Sequence, residues 1–282
     1  MLDPRTLDWV ARAVGKGARV VGGRRLTGGI TSSIHRLTVE TRTGVRQQVV
    51  LRRWTPGARD DTADASLFVA RERHVLGRLE ATDVPAPRFL AADPMGESTG
   101  VPALLMSRVA GRMDLAPRDP KTWLQQIVAM AVRIHELDVD APPYRWEARA
   151  VPVPAWASKP ADWRAAAELV RGPAPDHDIR FSHGDYQHFN FLWQRGRLTG
   201  VVDWVFACRG PSDVDVGHCG SISQSSTRPS WPPTFWRPTR LKRAGAWIRT
   251  GTSGARPRPL SKTGPSSSRS RLMAARRSIG PV

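Results

Sequence analysis

Phe181-Ser182-His183-Gly184-Asp185-Tyr186-Gln187-His188-Phe189-Asn190, followed thirteen residues after Asn190 by Asp203 in Val201-Val202-Asp203-Trp204, is the stretch that decides how this 282-residue chain is read. Moving the terminal phosphoryl group of a nucleoside triphosphate onto a hydroxyl needs one carboxylate to orient the hydroxyl and accept its proton. It also needs a second carboxylate and an amide oxygen to hold the magnesium ions that screen the phosphates. Asp185, Asn190 and Asp203 are residues of those types. Gly184 lets the chain bend sharply beside Asp185. Apolar Phe189, Phe191, Leu192 and Trp193, then Leu198, Val201 and Val202, read as a hairpin over Gln194-Arg195-Gly196-Arg197 that returns Asp203 to the side of Asn190. Two plainer readings compete. Asp and Asn beside a glycine are ordinary turn chemistry, but that leaves the paired apolar runs and Asp203 unexplained. His183, Asp185 and His188 are possible zinc ligands, a reading with no use for Asn190 or Asp203.

The segment resembles the catalytic and metal-binding loops of the aminoglycoside phosphotransferase and choline kinase family, small-molecule relatives of the protein kinases. In that family the pattern is His-Gly-Asp, four residues, Asn, then Asp-Trp about a dozen residues on, and residues 183–204 match it throughout. The resemblance implies an α+β, two-lobed, protein-kinase-like fold that binds ATP and Mg2+ and phosphorylates a hydroxyl of a small molecule. It casts Asp185 as the catalytic carboxylate and Asn190 and Asp203 as metal ligands. His183 organises the loop, and Asp215, in Asp215-Val216-Gly217-His218, braces it.

The amino-terminal half fits a nucleotide-binding lobe. Asp3 caps and Pro4 starts a helix with Leu7, Val10, Ala11 and Val14 on one stripe, ended by Gly15 and Gly17. Val20–Leu26 and Ile34–Glu40 read as strands around Thr27-Gly28-Gly29-Ile30-Thr31-Ser32-Ser33. By itself that segment is a hairpin turn, or a loop whose backbone N–H groups cradle phosphate. The resemblance makes it the phosphate-covering loop, with Gly28, Gly29, Thr31 and Ser32 as nucleotide contacts.

The strand Gln48–Arg53 places Val50 and Arg52 on one face and Val49, Leu51 and Arg53 on the other. The resemblance selects Arg52 as the cation that grips the phosphates. Between residues 63 and 80, Phe68, Val75, Leu76 and Leu79 form an apolar stripe, and Glu72 lies on it. A carboxylate on a core-facing stripe wants a cation, and Arg52 is the expected one; the plainer alternative is a partly exposed Glu72 paired with its neighbours Arg71 or Arg73 or with water. Pro102–Arg108 reads as the strand that ends the first lobe, and the resemblance makes residues 106 to 109 the adenine-binding hinge, with Met106 and Arg108 as contacts. A helix over 119–138 carries Trp123, Ile127, Met130, Ala131 and Ile134 into the second lobe, with His135 a packed structural residue. A short helix is expected near 161–170.

Composition divides the chain. Residues 220–282 hold thirteen Lys or Arg and no Asp or Glu, so most of the +18 net charge lies there. With 12 Ser and 8 Pro in the same segment and no helical or strand period, too little apolar surface is available to offset ordering entropy. The expected layout is a nucleotide-binding lobe at 1–108, a partial catalytic lobe at 109–219, and a disordered or frameshifted basic tail at 220–282. Ala246–Thr252 is compatible with codons that, read one base earlier, encode Leu-Asp-Pro-Tyr-Trp-Asp, a segment frequent in the resembled family. The competing class is a kinase-like nucleotide-binding module without activity, or a protein whose basic tail binds nucleic acid. Cys208 and Cys219 suggest no disulfide framework. Without a run of 18 apolar residues or a signal-like start, the expectation is a cytoplasmic protein with no membrane partner.

Overall fold

The structure, a computed structural model, describes residues 2–26, 32–54, 62–145, 150–174 and 176–226, without the side chains of 62–64 and 221–226. Gly28, Gly29 and Thr31, and the basic segment from 227 onward, lie outside the described residues.

Helix α1 (Pro4–Val14) begins as its sequence demands: Asp3 accepts the N–H of Arg5, Pro4 opens the first turn, and Val10 and Ala11 are buried. A five-stranded antiparallel sheet follows, with β1 (Arg19–Leu26), β2 (Ser33–Glu40), β3 (Arg46–Arg53), β4 (Phe89–Asp93) and β5 (Ala103–Ser107) in the order β1-β2-β3-β5-β4. Its faces are covered differently. Leu37, Val39, Val49, Leu51, Ala103 and Leu105 pack with Val10 and Trp9 of α1. Val50, Leu104 and Met106 belong to a second core, together with α2 (Thr62–Leu79) and the second lobe. Alternation along β3 therefore delivers Arg52 to the face between the lobes.

The second lobe contains α3 (Pro120–His135), α4 (Pro160–Arg171), β6 (Ile179–Ser182), β7 (Phe191–Gln194), β8 (Arg197–Val201), β9 (Cys208–Pro211) and α5 (Asp213–Ser226). Trp123, Ile127, Met130 and Ile134 make the buried side of α3. β7 and β8 form the expected hairpin, with Arg195 and Gly196 both at positive φ in its two-residue turn. Phe189 departs from expectation. It sits, exposed, in a 3-10 turn over His188–Asn190 that precedes β7, closed by Asn190 N–H donating to Gln187 O at 2.9 Å. α5 runs to Ser226, so the segment expected to lack helix after 219 begins inside one. No described helix is long and apolar enough to cross a membrane.

Candidate active site

His183-Gly184-Asp185 leaves β6 in a sharp bend. Gly184 has φ +79°, and a Cβ there would collide with the carbonyl oxygen of Phe206, so the position requires glycine. The bend is held from below by Asp215, which is fully buried near the start of α5. Its Oδ2 accepts the N–H of His183 at 2.9 Å, and Oδ1 accepts the N–H of Gly184 at 2.8 Å. His135 from the end of α3 donates Nε2–H to Oδ2 at 2.9 Å.

Burial alone would push the Asp215 carboxyl upward, yet His135 and His183 outweigh it and hold the group below the ordinary aspartate value. A depressed folded-state pKa gives stability that is present above the unfolded value of 3.8 and is lost as pH falls through the folded one. Asp215→Asn replaces one of the two acceptor oxygens with an NH2 donor that faces other N–H donors, and should lower unfolding free energy by about 3 kcal/mol, measured by denaturant titration at pH 7.

His183 is committed on both ring nitrogens. Nδ1 accepts Asp185 N–H at 3.3 Å, so Nε2 carries the proton and donates to Val202 O at 3.1 Å. Its ring also lies 4.5 Å from that of Trp204, which stacks on Phe181. His183 is thus a loop brace, and neither nitrogen is free for zinc. Among the described residues no cluster of three His, Cys, Asp or Glu could hold a metal.

Asp185 is half-buried. Asn190 Nδ2 donates to Asp185 O at 2.9 Å and to its Oδ2 at 3.1 Å, while Gln187 donates its side-chain amide to Oδ1. Asn190 thereby spends its NH2 on Asp185 and leaves its amide oxygen for another partner. Val202 N–H donates to Asn190 O at 2.9 Å, so the hairpin delivers Asp203 next to Asn190. Asp203 itself adopts a left-handed conformation (φ 69°), which turns its carboxylate away from the strand direction.

Facing these loops is Arg52, with a side chain 8% exposed. It donates NH1 to Glu72 Oε2 at 3.2 Å and to Asp203 Oδ1 at 2.6 Å, NH2 to Asp203 Oδ2 at 3.3 Å, and Nε to Ser32 Oγ at 3.0 Å. Trp204 N–H caps the other oxygen of Glu72 at 3.3 Å. One guanidinium therefore links the end of the glycine segment, α2 and the Asp203 loop. Burial works against the Arg52 charge, but Asp203 and Glu72 hold its pKa above the usual arginine value.

Burial, reinforced by Asp203, pushes the Glu72 carboxyl up to about 7, against the pull of Arg52 and Trp204 N–H. A raised folded-state pKa means that the folded protein binds the proton more tightly than the unfolded chain does. The associated stability is full below the ordinary value of 4.5 and is lost as pH rises through about 7. Melting temperatures across pH 4.5–7.5 should therefore fall more steeply with rising pH for the native chain than for Glu72→Gln.

In β5, where the hinge is expected, Met106 is buried beside Val50 on the inter-lobe face. Arg108 N–H donates to Gln48 O at 3.3 Å, so that backbone donor is already used within the sheet. Nothing in the local sequence pattern points to Gln187, the Trp204 N–H or the His135–Asp215 bond. All depend on turns or on partners far apart in the chain, which periodicity does not report.

The family model of the phosphotransferase enzyme family (APH) matches residues 28–257, and the chain belongs to that family. The matched span continues past residue 219, so the boundary that composition draws there is not where the likeness stops. No match was found among curated proteins.

Similar solved structures include a protein of Ralstonia eutropha JMP134 assigned to the aminoglycoside phosphotransferases, at 16% identity and TM-score 0.55, covering 86% of this chain and 75% of that one. A thermostable variant of aminoglycoside phosphotransferase APH(4)-Ia, in ternary complex with ADP and hygromycin B, is 16% identical at TM-score 0.52 and is covered over 75% of both chains. Macrolide 2'-phosphotransferase MphH from Brachybacterium faecium is 18% identical at TM-score 0.52, with 79% of this chain and 78% of that chain covered. At such identities the likeness establishes the fold: two-lobed, α+β and kinase-like.

Proposed function

We propose that the protein transfers the γ-phosphoryl group of ATP to a hydroxyl of a small molecule. The observation that carries this reading is the convergence of Asp185, Asn190 and Asp203 opposite Arg52, which lies 151 positions from Asp203 in the chain. Family membership and the nucleotide and hydroxyl-bearing ligands of the APH(4)-Ia complex support it.

The donor set fits magnesium. Asp203 Oδ atoms and the amide oxygen of Asn190 are hard oxygen ligands, and a site with one carboxylate and one amide suits an ion that takes its remaining ligands from phosphate and water. When bound there, magnesium would screen the β- and γ-phosphate charge. The protein's own groups do the rest. Arg52 exchanges Asp203 for phosphate oxygens, to which its planar fork is well matched. Asp185 orients the acceptor hydroxyl and takes its proton as the hydroxyl oxygen bonds to the γ-phosphorus and the bond to the β-phosphate oxygen breaks, leaving ADP. Gln187 and Asn190 fix the Asp185 carboxylate in place beforehand.

Which hydroxyl compound is phosphorylated is tested by incubating the full chain with Mg·ATP and a panel of aminoglycosides, macrolides and amino alcohols while following ADP release. Acceptor-dependent ADP formation is the expected result. ADP release that no acceptor raises above the buffer blank would count against the reading.

A further inference from the structure

We infer that Ser32 is a positioning residue for Arg52, and that it makes arginine, rather than lysine, necessary at this phosphate-gripping position. The inference rests on the nucleotide-site reading above. Ser32 stands between the glycine-containing segment and β2, and is only 6% exposed. A serine there is expected to turn its hydroxyl to a phosphate. Instead Ser32 Oγ receives the Nε–H of Arg52 at 3.0 Å.

The three nitrogens of the guanidinium are divided among three tasks. Nε is held by Ser32, NH1 by Glu72 and Asp203, and NH2 by Asp203 alone. Nε is the nitrogen nearest the side-chain stem, so fixing it sets the plane of the fork. The far edge can then change partner while the stem stays put. Asp203 is the partner to leave: its side chain is 31% exposed, against 1% for Glu72, and it is the carboxylate that the metal requires.

Ser32 thus serves as the pivot about which the NH1/NH2 edge passes from Asp203 to phosphate. Glu72 keeps its Trp204 N–H throughout. A lysine has one nitrogen at the end of a flexible stem and no donor part-way along it, so it would leave the buried Ser32 hydroxyl without this partner.

A double-substitution cycle tests this with Ser32→Ala, Ser32→Thr, Arg52→Lys and Ser32→Ala/Arg52→Lys in the full chain, reading the Kd of Mg·ATP by titration calorimetry. Ser32→Ala should weaken binding about tenfold when Arg52 is present, the scale of one hydrogen bond to a charged group, and by less than about twofold in the Arg52→Lys background. Ser32→Thr keeps the hydroxyl and should stay within about twofold of the native chain. Equal losses in both backgrounds would mean that Ser32 touches phosphate directly, and a threonine as poor as alanine would mean that the hydroxyl is not the reason. Either overturns the inference.

Should the native chain bind no Mg·ATP, the nucleotide reading fails, and the pivot is judged on melting of the nucleotide-free proteins. There Ser32→Ala should lower Tm when Arg52 is present and clearly less in the Arg52→Lys background; equal lowering rejects the Ser32–Arg52 coupling.

Discussion

Asp185→Ala is expected to reduce ATP-dependent phosphorylation of a hydroxyl acceptor by about 10²-fold or more while leaving Mg·ATP affinity nearly intact, because it removes a positioned base and no phosphate ligand. The structure sharpens this beyond a generic loss of a carboxylate. Asp185 is gripped by two amides, Gln187 on one oxygen and Asn190 on the other, and its backbone N–H is tied to His183. The two amides that hold its oxygens bear no charge, so truncation strands no buried ion beside them, and the fold should survive. The loss should appear in kcat, with the KM for ATP changed little. If transfer persists at the native rate in steady-state assays, Asp185 has no part in the chemistry.

Asp203→Asn should abolish the magnesium-dependent part of nucleotide stabilisation, read as the difference between Tm shifts with Mg·ATP and with ATP in chelator. Its effect on the nucleotide-free protein should be small, within about 1 kcal/mol. Arg52 retains Glu72 and Ser32, and removing the Asp203 charge relieves the repulsion that helps push the Glu72 carboxyl up to about 7. A nucleotide-free protein that melts far earlier, with the magnesium effect intact, would make Asp203 a structural residue and not a metal ligand.

Much of this site could be read from the chain because its parts lie on short, regular segments. Asp185 and Asn190 share one loop, a hairpin with an Arg-Gly turn returns Asp203 to them, and the stripe of Val75, Leu76 and Leu79 put Glu72 on the inner face of α2. What escaped was of two kinds. β4, β6 and β9 are about as short as β7 and β8, but none is joined to its partner strand by a two-residue turn, so no hairpin signal marks them. Phe189 reads as strand on apolarity alone, whereas the Asn190–Gln187 backbone bond curls it into a 3-10 turn.

The polar contacts that aim the site are the second kind. Asp215 and His135 are 80 positions apart, Trp204 and Glu72 132, and Arg52 and Asp203 151. No local pattern pairs them. Ser32 illustrates the limit well: its place beside the glycines suggested phosphate, and only the position of Arg52 Nε shows where the hydroxyl points.

If one cleft binds nucleotide and magnesium together through Arg52, Asn190 and Asp203, titration calorimetry of the full chain with ATP, in magnesium and separately in chelator, tests it most directly. The expected result is saturable one-to-one binding in magnesium and at least about tenfold weaker binding in chelator, because Asp203 and Asn190 grip the nucleotide only through the metal. Equal affinity in both conditions, or no heat of binding in either, would contradict it.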